Sequence, residues 1–362
     1  MSLARSDSNF AGPRWRARVS RIWRWEFWPT WLFYLPVMPW IALLALRHRG
    51  LTTLTAANPA IPHGGVVGES KHEILSRLPS EWVVPSALIL PGEVDGRIGE
   101  LSRIMKDREW EFPIILKPDA GERGAGLKLV RDQSEASAYF RGNFKPIIAQ
   151  VYHPGPFEAG IFYFRLPGED RGRIFSITDK HFPFVAGDGR STVIELIWQD
   201  SRLRMQADRF LARLNGQAEV VLAPGERLRL ASAGNHCQGT MFSDGSHLIT
   251  PQLESAIDAI AKQFEGFYFG RFDVRYADVG AFREGRGFSI LELNGATSES
   301  TNIYDPSWSI AKAYAVLFRQ WSILFRIGQA NRARGSRTTP LRQLMREIRS
   351  YYRDRCVGLV AD

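Results

Sequence analysis

Arg271-Phe272-Asp273-Val274-Arg275, followed beyond a polar, Gly-containing turn by Leu291-Glu292-Leu293-Asn294-Gly295, reads as a pair of strands. Side chains alternate across a strand, so Arg271, Asp273 and Arg275 share one face and Phe272 and Val274 the other. Glu292 and Asn294 likewise share a face, opposite Leu291 and Leu293. Antiparallel pairing through the turn brings Asp273, Glu292 and Asn294 to one point. Two carboxylates and an amide oxygen make a hard-oxygen set suited to magnesium, with phosphate oxygens completing the coordination. The competing explanation is a pair of solvated strand-end carboxylates, which repel each other without a cation.

Working outward, Phe112 to Leu116 reads as a buried strand that runs into Lys117-Pro118-Asp119-Ala120-Gly121-Glu122-Arg123-Gly124-Ala125-Gly126 and returns as Leu127 to Val130. A lysine ending a buried strand before a Gly-rich tip can set one cation and several N–H groups around phosphates. The lysine precedes the glycines, so this is not a Walker A loop. Taken alone, it reads as a hairpin turn. Lys180 follows another strand, and Gly187-Asp188-Gly189 form a turn before Ser191 and Thr192, either of which can cap a helix. Gly64-Gly65 with Ser70 and Lys71 reads as a turn and a solvated lysine in preference to an anion site.

Further strands are expected at 147–151, 159–164 and 174–178, and helices at 69–78, 193–214, 253–264 and beyond Ser307. Hairpins mixed with helices predict α+β lobes around a cleft. The two cysteines, Cys237 and Cys356, lie far apart without metal spacing, which excludes a disulfide scaffold or zinc site. The net charge of +9 is uneven. Residues 1–50 carry eight Arg against Asp7 and Glu26, and residues 319–355 carry ten Arg against Glu347 and Asp354. Nucleic acid or an anionic membrane attracts such arms. Phe27 to Leu46 favours the membrane, being free of charge with arginines on both sides. Pro29, Pro36 and Pro39 interrupt it, so an interfacial or re-entrant hairpin is expected ahead of a true span or a buried arm.

The order of these pieces resembles the ATP-grasp superfamily over residues 112–306, in its carboxylate–amine ligase branch of D-alanine–D-alanine ligases and cyanophycin synthetases. Val185–Ile197 and Asn235-His236-Cys237-Gln238-Gly239-Thr240 are similar to cyanophycin synthetase in particular. The resemblance implies an ATP-grasp fold, α+β or α/β, holding ATP between two α+β lobes, and the hydrophobic N-terminal segment read above as membrane-associated precedes it. It implies that Lys117 and Lys180 reach the phosphates under a lid tip of Gly121, Gly124 and Gly126. By the same resemblance Gln150, Val151 and Tyr152 form the adenine hinge, and Glu158 accepts from the ribose. Asp273, Glu292 and Asn294 would bind magnesium, two ions being expected and manganese able to substitute, with Arg271 and Lys180 acting in catalysis. Asn235, His236, Arg275, Ser298, Glu299 and Asn302 would face the acceptor substrate.

An acyl phosphate displaced by an amine is the reaction this implies. The stretch 294–302 lacks the Pro-Gly-Met of the D-alanine ligases, which argues against a D-alanyl dipeptide product. The long second domain of cyanophycin synthetase is absent, which argues against polymer synthesis. The expected substrates are a lipid, lipid-linked or envelope precursor or an amino acid, handled on the cytoplasmic face of a membrane with anionic lipids and no nucleic acid. A phosphotransferase and a non-catalytic ATP-binding scaffold are the alternatives. The chain is read as a basic arm (1–25), membrane-associated segment (26–50), N-terminal lobe (51–110), lid subdomain (111–190), catalytic subdomain (191–330) and basic C-terminal helix (331–362).

Overall fold

The computed structural model describes residues 11–121, 126–214, 216–231 and 234–355. Helices α1 (Ala11–Trp23), α2 (Thr30–Tyr34) and α3 (Val37–Arg47) lead the chain, and α4 (Lys71–Ser76) follows a glycine-rich loop. Strand β1 (Ser86–Ile89), helix α5 (Val94–Asp107), strands β2 (Ile114–Pro118) and β3 (Lys128–Val130), helix α6 (Gln133–Arg141) and strand β4 (Ile147–Val151) come next. Strands β1-β4-β2-β3 form one sheet in that order, all neighbours antiparallel. Its core packs Ile89, Ile114, Leu116 and Ile147 against Leu101 of α5 and Ala136, Tyr139 and Phe140 of α6. Asp132 caps α6 by accepting from Glu135 N at 2.8 Å, while Glu135 accepts from Arg131 N at 2.8 Å.

Strands β5 (Phe157–Phe164) and β6 (Arg173–His181) begin the second body. Strand β7 (Phe184–Ala186), helices α7 (Val193–Gln199) and α8 (Ala207–Leu211), and strands β8 (Arg227–Arg229) and β9 (Met241–Asp244) follow. Then come helix α9 (Pro251–Gln263), strand β10 (Phe269–Tyr276), helix α10 (Val279–Arg283), strand β11 (Phe288–Asn294), and helices α11 (Ile310–Ala333) and α12 (Leu341–Arg355). The five-stranded sheet runs β11-β10-β5-β6-β9, and β7 pairs with β8. On one face Ile161, Ile177, Phe272 and Val274 bury against Leu253, Ile257 and Ile260 of α9. On the other face Phe162 and Phe269 bury against Leu324 and Ile327 of α11, and the charged residues described below take the rest.

The sheets divide the chain differently from the sequence-drawn lobes. Strand β1 pairs with β4 across the 110/111 boundary, and β5 and β6, assigned to the lid, belong to the sheet of β10 and β11. The hairpin of 112–130 is present, and its tip at 122–125, with Gly124, lies outside the described residues. The helix expected over 193–214 is broken. The Asp200 carboxylate accepts from Arg202 N and Leu203 N, both at 2.7 Å, and so ends α7 in a turn that a 3-10 segment carries on into α8.

The segment 26–50, expected to be membrane-associated, packs one of its faces into the body. Among the described residues no helix is long and apolar enough to cross a membrane. Phe33, Val37, Ile41, Leu44 and Ala45 instead bury against Ala313, Leu317 and Phe325 of α11. Trp25 Nε1 and Trp40 Nε1 donate to the carbonyls of Ile303 and Phe318, each at 3.1 Å, and Tyr314 Oη donates to Phe33 O at 3.0 Å. Burial of these side chains contributes on the order of 10 kcal/mol before chain entropy is subtracted. Helical periodicity explains the choice: residues 33, 37, 41, 44 and 45 form one stripe, and α11 supplies an apolar partner for it.

Candidate active site

Register assembles the polar face of the five-stranded sheet. Asp273 lies opposite Glu292 on β11 and Gly160 on β5, Arg271 lies opposite Asn294, and Glu158 lies opposite both Lys180 and Arg275. Gly160 leaves room there, since a Cβ on it would sit 3.1 Å from Arg271 Cδ and 3.2 Å from Asp273 Oδ1. Arg271 therefore folds over its neighbour, with Nε on Asp273 Oδ1 at 3.0 Å and Nη2 on Oδ2 at 3.1 Å. Lys180 Nζ bridges Asp273 Oδ1 at 2.9 Å and Glu158 Oε1 at 3.0 Å. Arg275 Nε takes the other oxygen of Glu158 at 2.9 Å, and its Nη1 donates to His153 O at 2.6 Å.

The four-stranded sheet faces this network with Lys117. Among the described residues its ammonium donates to neutral acceptors, Gln150 Oε1 at 2.9 Å and Leu291 O at 3.2 Å. Lys71, at the start of α4, pairs with Glu292 Oε1 at 3.1 Å. Gly64 and Gly65 place that helix, because Gly65 lies directly against Gly295: a Cβ on Gly65 would fall 2.6 Å from Gly295 Cα, and φ is +84°. Ala296 N donates to Gly64 O at 3.0 Å and seals the contact. Ser70 caps α4, its Oγ accepting from Glu73 N at 3.1 Å.

Five cations (Lys71, Lys117, Lys180, Arg271, Arg275) thus surround three carboxylates (Glu158, Asp273, Glu292), and all eight line one cavity of about 1000 Å³. Burial alone would raise the pKa of Asp273, but Arg271 and Lys180 outweigh it and hold the carboxyl well below the usual range. Burial likewise works against ionised Glu292, and Lys71 and then Lys117 bring it down. Lys180 is pushed up by Asp273 and Glu158 in spite of its burial. Lys117 is pushed down to about 8 by its burial. The cluster carries a surplus of positive charge, which suits an anion such as a polyphosphate.

The three residues expected to hold a divalent cation are held by one another and by cations: Asn294 Nδ2 donates to Asp273 Oδ2 at 3.4 Å, Asp273 is held by Arg271 and Lys180, and Glu292 by Lys71. Among the described residues no group of three or more His, Cys, Asp or Glu could hold a metal unaided.

Other expected site residues are distributed unevenly. Gly121, Gln150 and Val151 line the cavity. Gly126 has φ of +74° and its carbonyl accepts from Tyr139 Oη. Tyr152 lies under the guanidinium of Arg275, 5.6 Å from ring centre to Cζ. Glu158 has both oxygens committed to Lys180 and Arg275 rather than turned to a sugar. Asn235 caps a short 3-10 turn, and Ser298 Oγ closes its own loop onto Gly295 O. Glu299 receives the Tyr34 hydroxyl, and its backbone carbonyl accepts from Arg271 Nη1 at 2.9 Å. Asn302 is buried against Asp244 at 3.1 Å and is not part of the cavity lining.

His236 lines the cavity with a partner that the sequence did not suggest. Its Nε2 lies 3.4 Å from Glu26 Oε2, and Glu26 also accepts from Arg202 Nη1 at 2.6 and 2.7 Å. Burial works against ionised Glu26, yet His236 and Arg202 lower its pKa. The His236 ring stacks on Tyr304 at 5.4 Å. Residues 26, 202 and 236 are too far apart in the chain for any motif to join them. Lys71 was visible as a charge near a helix start, but only the Gly65–Gly295 contact carries it to Glu292.

Comparison with known protein families and with curated proteins finds no match. Among solved structures the chain is similar to a bifunctional glutathione synthetase from Pasteurella multocida, with 15% identity and a TM-score of 0.34 over 66% of this chain and 33% of that one. It is also similar to D-cycloserine synthetase DcsG, with 12% identity and a TM-score of 0.39 over 70% of each chain. A third similarity is to the ATP-grasp ligase PsnB complexed with minimal precursor, with 12% identity and a TM-score of 0.36 over 69% of this chain and 59% of that one. The chain thus spans about a third of the length of the glutathione synthetase it matches.

Proposed function

We propose that this protein is an ATP-dependent carboxylate–amine ligase of the ATP-grasp type. The observation that carries the reading is the cross-strand grouping of Lys180, Arg271, Asp273, Glu292 and Asn294 on one sheet face, with Lys117 approaching from the other sheet. Among the described residues Lys117 offers a buried ammonium without a carboxylate partner, so phosphate oxygens are its natural counter-charge. Lys180 and Arg271 are aimed by Asp273 and Glu158 and stand ready to neutralise charge on a phosphoryl group in transit. A divalent cation, when bound, supplies further charge neutralisation at the oxygens of Asp273, Glu292 and Asn294.

In this scheme a substrate carboxylate oxygen attacks the γ-phosphorus of ATP, forming a C–O–P linkage as the β–γ bridging bond breaks and ADP leaves. An amine then adds to the acyl carbon, loses a proton and expels phosphate. The protein's part is to orient the reactants, spread the charge and keep water from the acyl phosphate. We place the reaction at a membrane surface because α2 lines the cavity with Tyr34 and Phe33, while Trp31 and the Leu35 that follows the helix turn outward.

The test is ADP release by purified protein against pairs of carboxylates and amines, with hydroxylamine added to trap acyl phosphate as hydroxamate. ADP release that needs the carboxylate and yields hydroxamate supports the ligase. ADP release with a hydroxyl acceptor and no hydroxamate points to a phosphotransferase. Binding of ATP without turnover in any pair would leave only a scaffold.

A further inference from the structure

We propose that the outward faces of α1, α2 and α3 together form a docking face for an anionic phospholipid bilayer, on which the protein lies flat without crossing it. The inference deepens the location half of the reading above and rests on that reading only for the position of the active site. It begins with two opposite stripes on one segment. Positions 33, 37, 41, 44 and 45 are buried in the body. Trp31, Leu35, Met38, Leu43 and Leu46 point the other way and are 71%, 59%, 55%, 52% and 78% exposed. A helix at the surface of a water-soluble body carries polar or charged residues on its outer face. Here no charge occurs between Phe27 and Leu46, so that face is apolar as well. Contiguous exposed apolar surface of this kind marks an interaction site.

Helix α1 repeats the pattern. Trp15, Val19, Ile22 and Trp23 fall on one helical stripe and are exposed, and Arg16 and Arg18 are exposed between them. Arg47 and Arg49 close the far end of α3. Apolar stripes bounded at both ends by arginine suit acyl chains rimmed by anionic headgroups. The same charge disfavours a second copy as the occupant, because self-pairing would bring two +6 N-terminal arms together. The pose is in-plane, since no described helix is long and apolar enough to cross. Thr30, Phe33 and Tyr34 of α2 and neighbouring Trp28 line the cavity, so docking sets the active site one helix away from the headgroups.

The test is co-sedimentation of the full chain with phosphatidylglycerol vesicles and with phosphatidylcholine vesicles. The protein is expected to pellet with the former at low salt and to stay largely in solution with the latter. Leu35→Glu, Met38→Glu and Leu46→Glu together are expected to weaken binding at least tenfold, with unchanged circular dichroism and melting. If that triple variant fails to fold, Trp31→Ser with Leu46→Ser serves in its place. Wild-type protein left in solution by phosphatidylglycerol, or variants that bind as tightly as wild type, would overturn the proposal. So would light scattering that shows a vesicle-free dimer dissociated by the same substitutions, which would assign the face to a second copy. None of these measurements uses ATP, so a failed ligase assay leaves the docking result standing, and a failed docking result leaves the ligase reading intact.

Discussion

Asp273 and Glu292 look alike in sequence and differ in their surroundings. Asp273 holds both Arg271 and Lys180, whereas Glu292 is partly exposed and pairs with Lys71. Asp273→Asn strips the counter-charge from two buried cations and is expected to cost about 3–5 kcal/mol as well as turnover. Glu292→Gln is expected to lose turnover with a much smaller loss of stability, and urea denaturation of the two variants separates them. Glu158 still holds Lys180 in either case. Since the Asp273 pKa is depressed, its stabilising contribution is complete above the unfolded carboxyl range and is lost as pH falls below about 4.

Lys117 differs in that burial disfavours its charged form. Its pKa is pushed down to about 8, so between there and the ordinary lysine range the folded protein binds fewer protons than the unfolded chain, and stability rises with pH. The stability difference between Lys117→Met and wild type should therefore shift toward wild type by up to about 3 kcal/mol from pH 7 to pH 11. Nucleotide affinity should run the other way: phosphate binding needs the ammonium, so wild-type affinity weakens as pH rises through 8, and Lys117→Arg removes most of that dependence. Calorimetry in buffers of different ionisation enthalpy should show proton uptake on ATP binding near pH 8.5.

Among the elements, α2 and α3 show best what periodicity alone leaves open. The apolar run of 27–46 was legible, and so was its proline punctuation, but both of its faces are apolar and nothing in it says which one α11 covers. The structure makes the segment part of the core. Phe33→Ala, at a site 1% exposed, is expected to cost about 3–5 kcal/mol in chemical denaturation. Deletion of residues 1–50 is expected to give insoluble protein, because it uncovers Leu317 and Phe325 and removes Glu26 from His236 and Arg202. The helix read over 193–214 fails for a local reason: the Asp200 side chain competes for backbone donors that a continuous helix would use itself.

At the scale of the molecule, the sequence disclosed the strand pairs and their polar face, because alternation and cross-strand pairing are local. It did not disclose how the two sheets meet. They join along the free edge of β11, where Ile290 O accepts from Val84 N at 3.0 Å and Leu291 O from Lys117 and Gln150. The glycine pair at 64–65 read as a simple turn, and its use is long-range, as the place where one backbone lies against another at Gly295. Substitution there is expected to act at a distance. Gly65→Ala, strained at positive φ and in collision with Gly295, should weaken the Lys71–Glu292 pair and lower nucleotide affinity in a fluorescence titration, although residue 65 touches no ionised group in the site.

The bond from Trp25 to the carbonyl of Ile303 has a consequence for synthesis. The chain leaves the ribosome N-terminus first, and α2 and α3 emerge long before α11, which is to cover them. At roughly 5–20 residues per second the wait is about 15–55 s. For that interval both apolar stripes are bare, the inner one as well as the outer. A bilayer or a chaperone that takes up the segment during translation would shield it until α11 arrives.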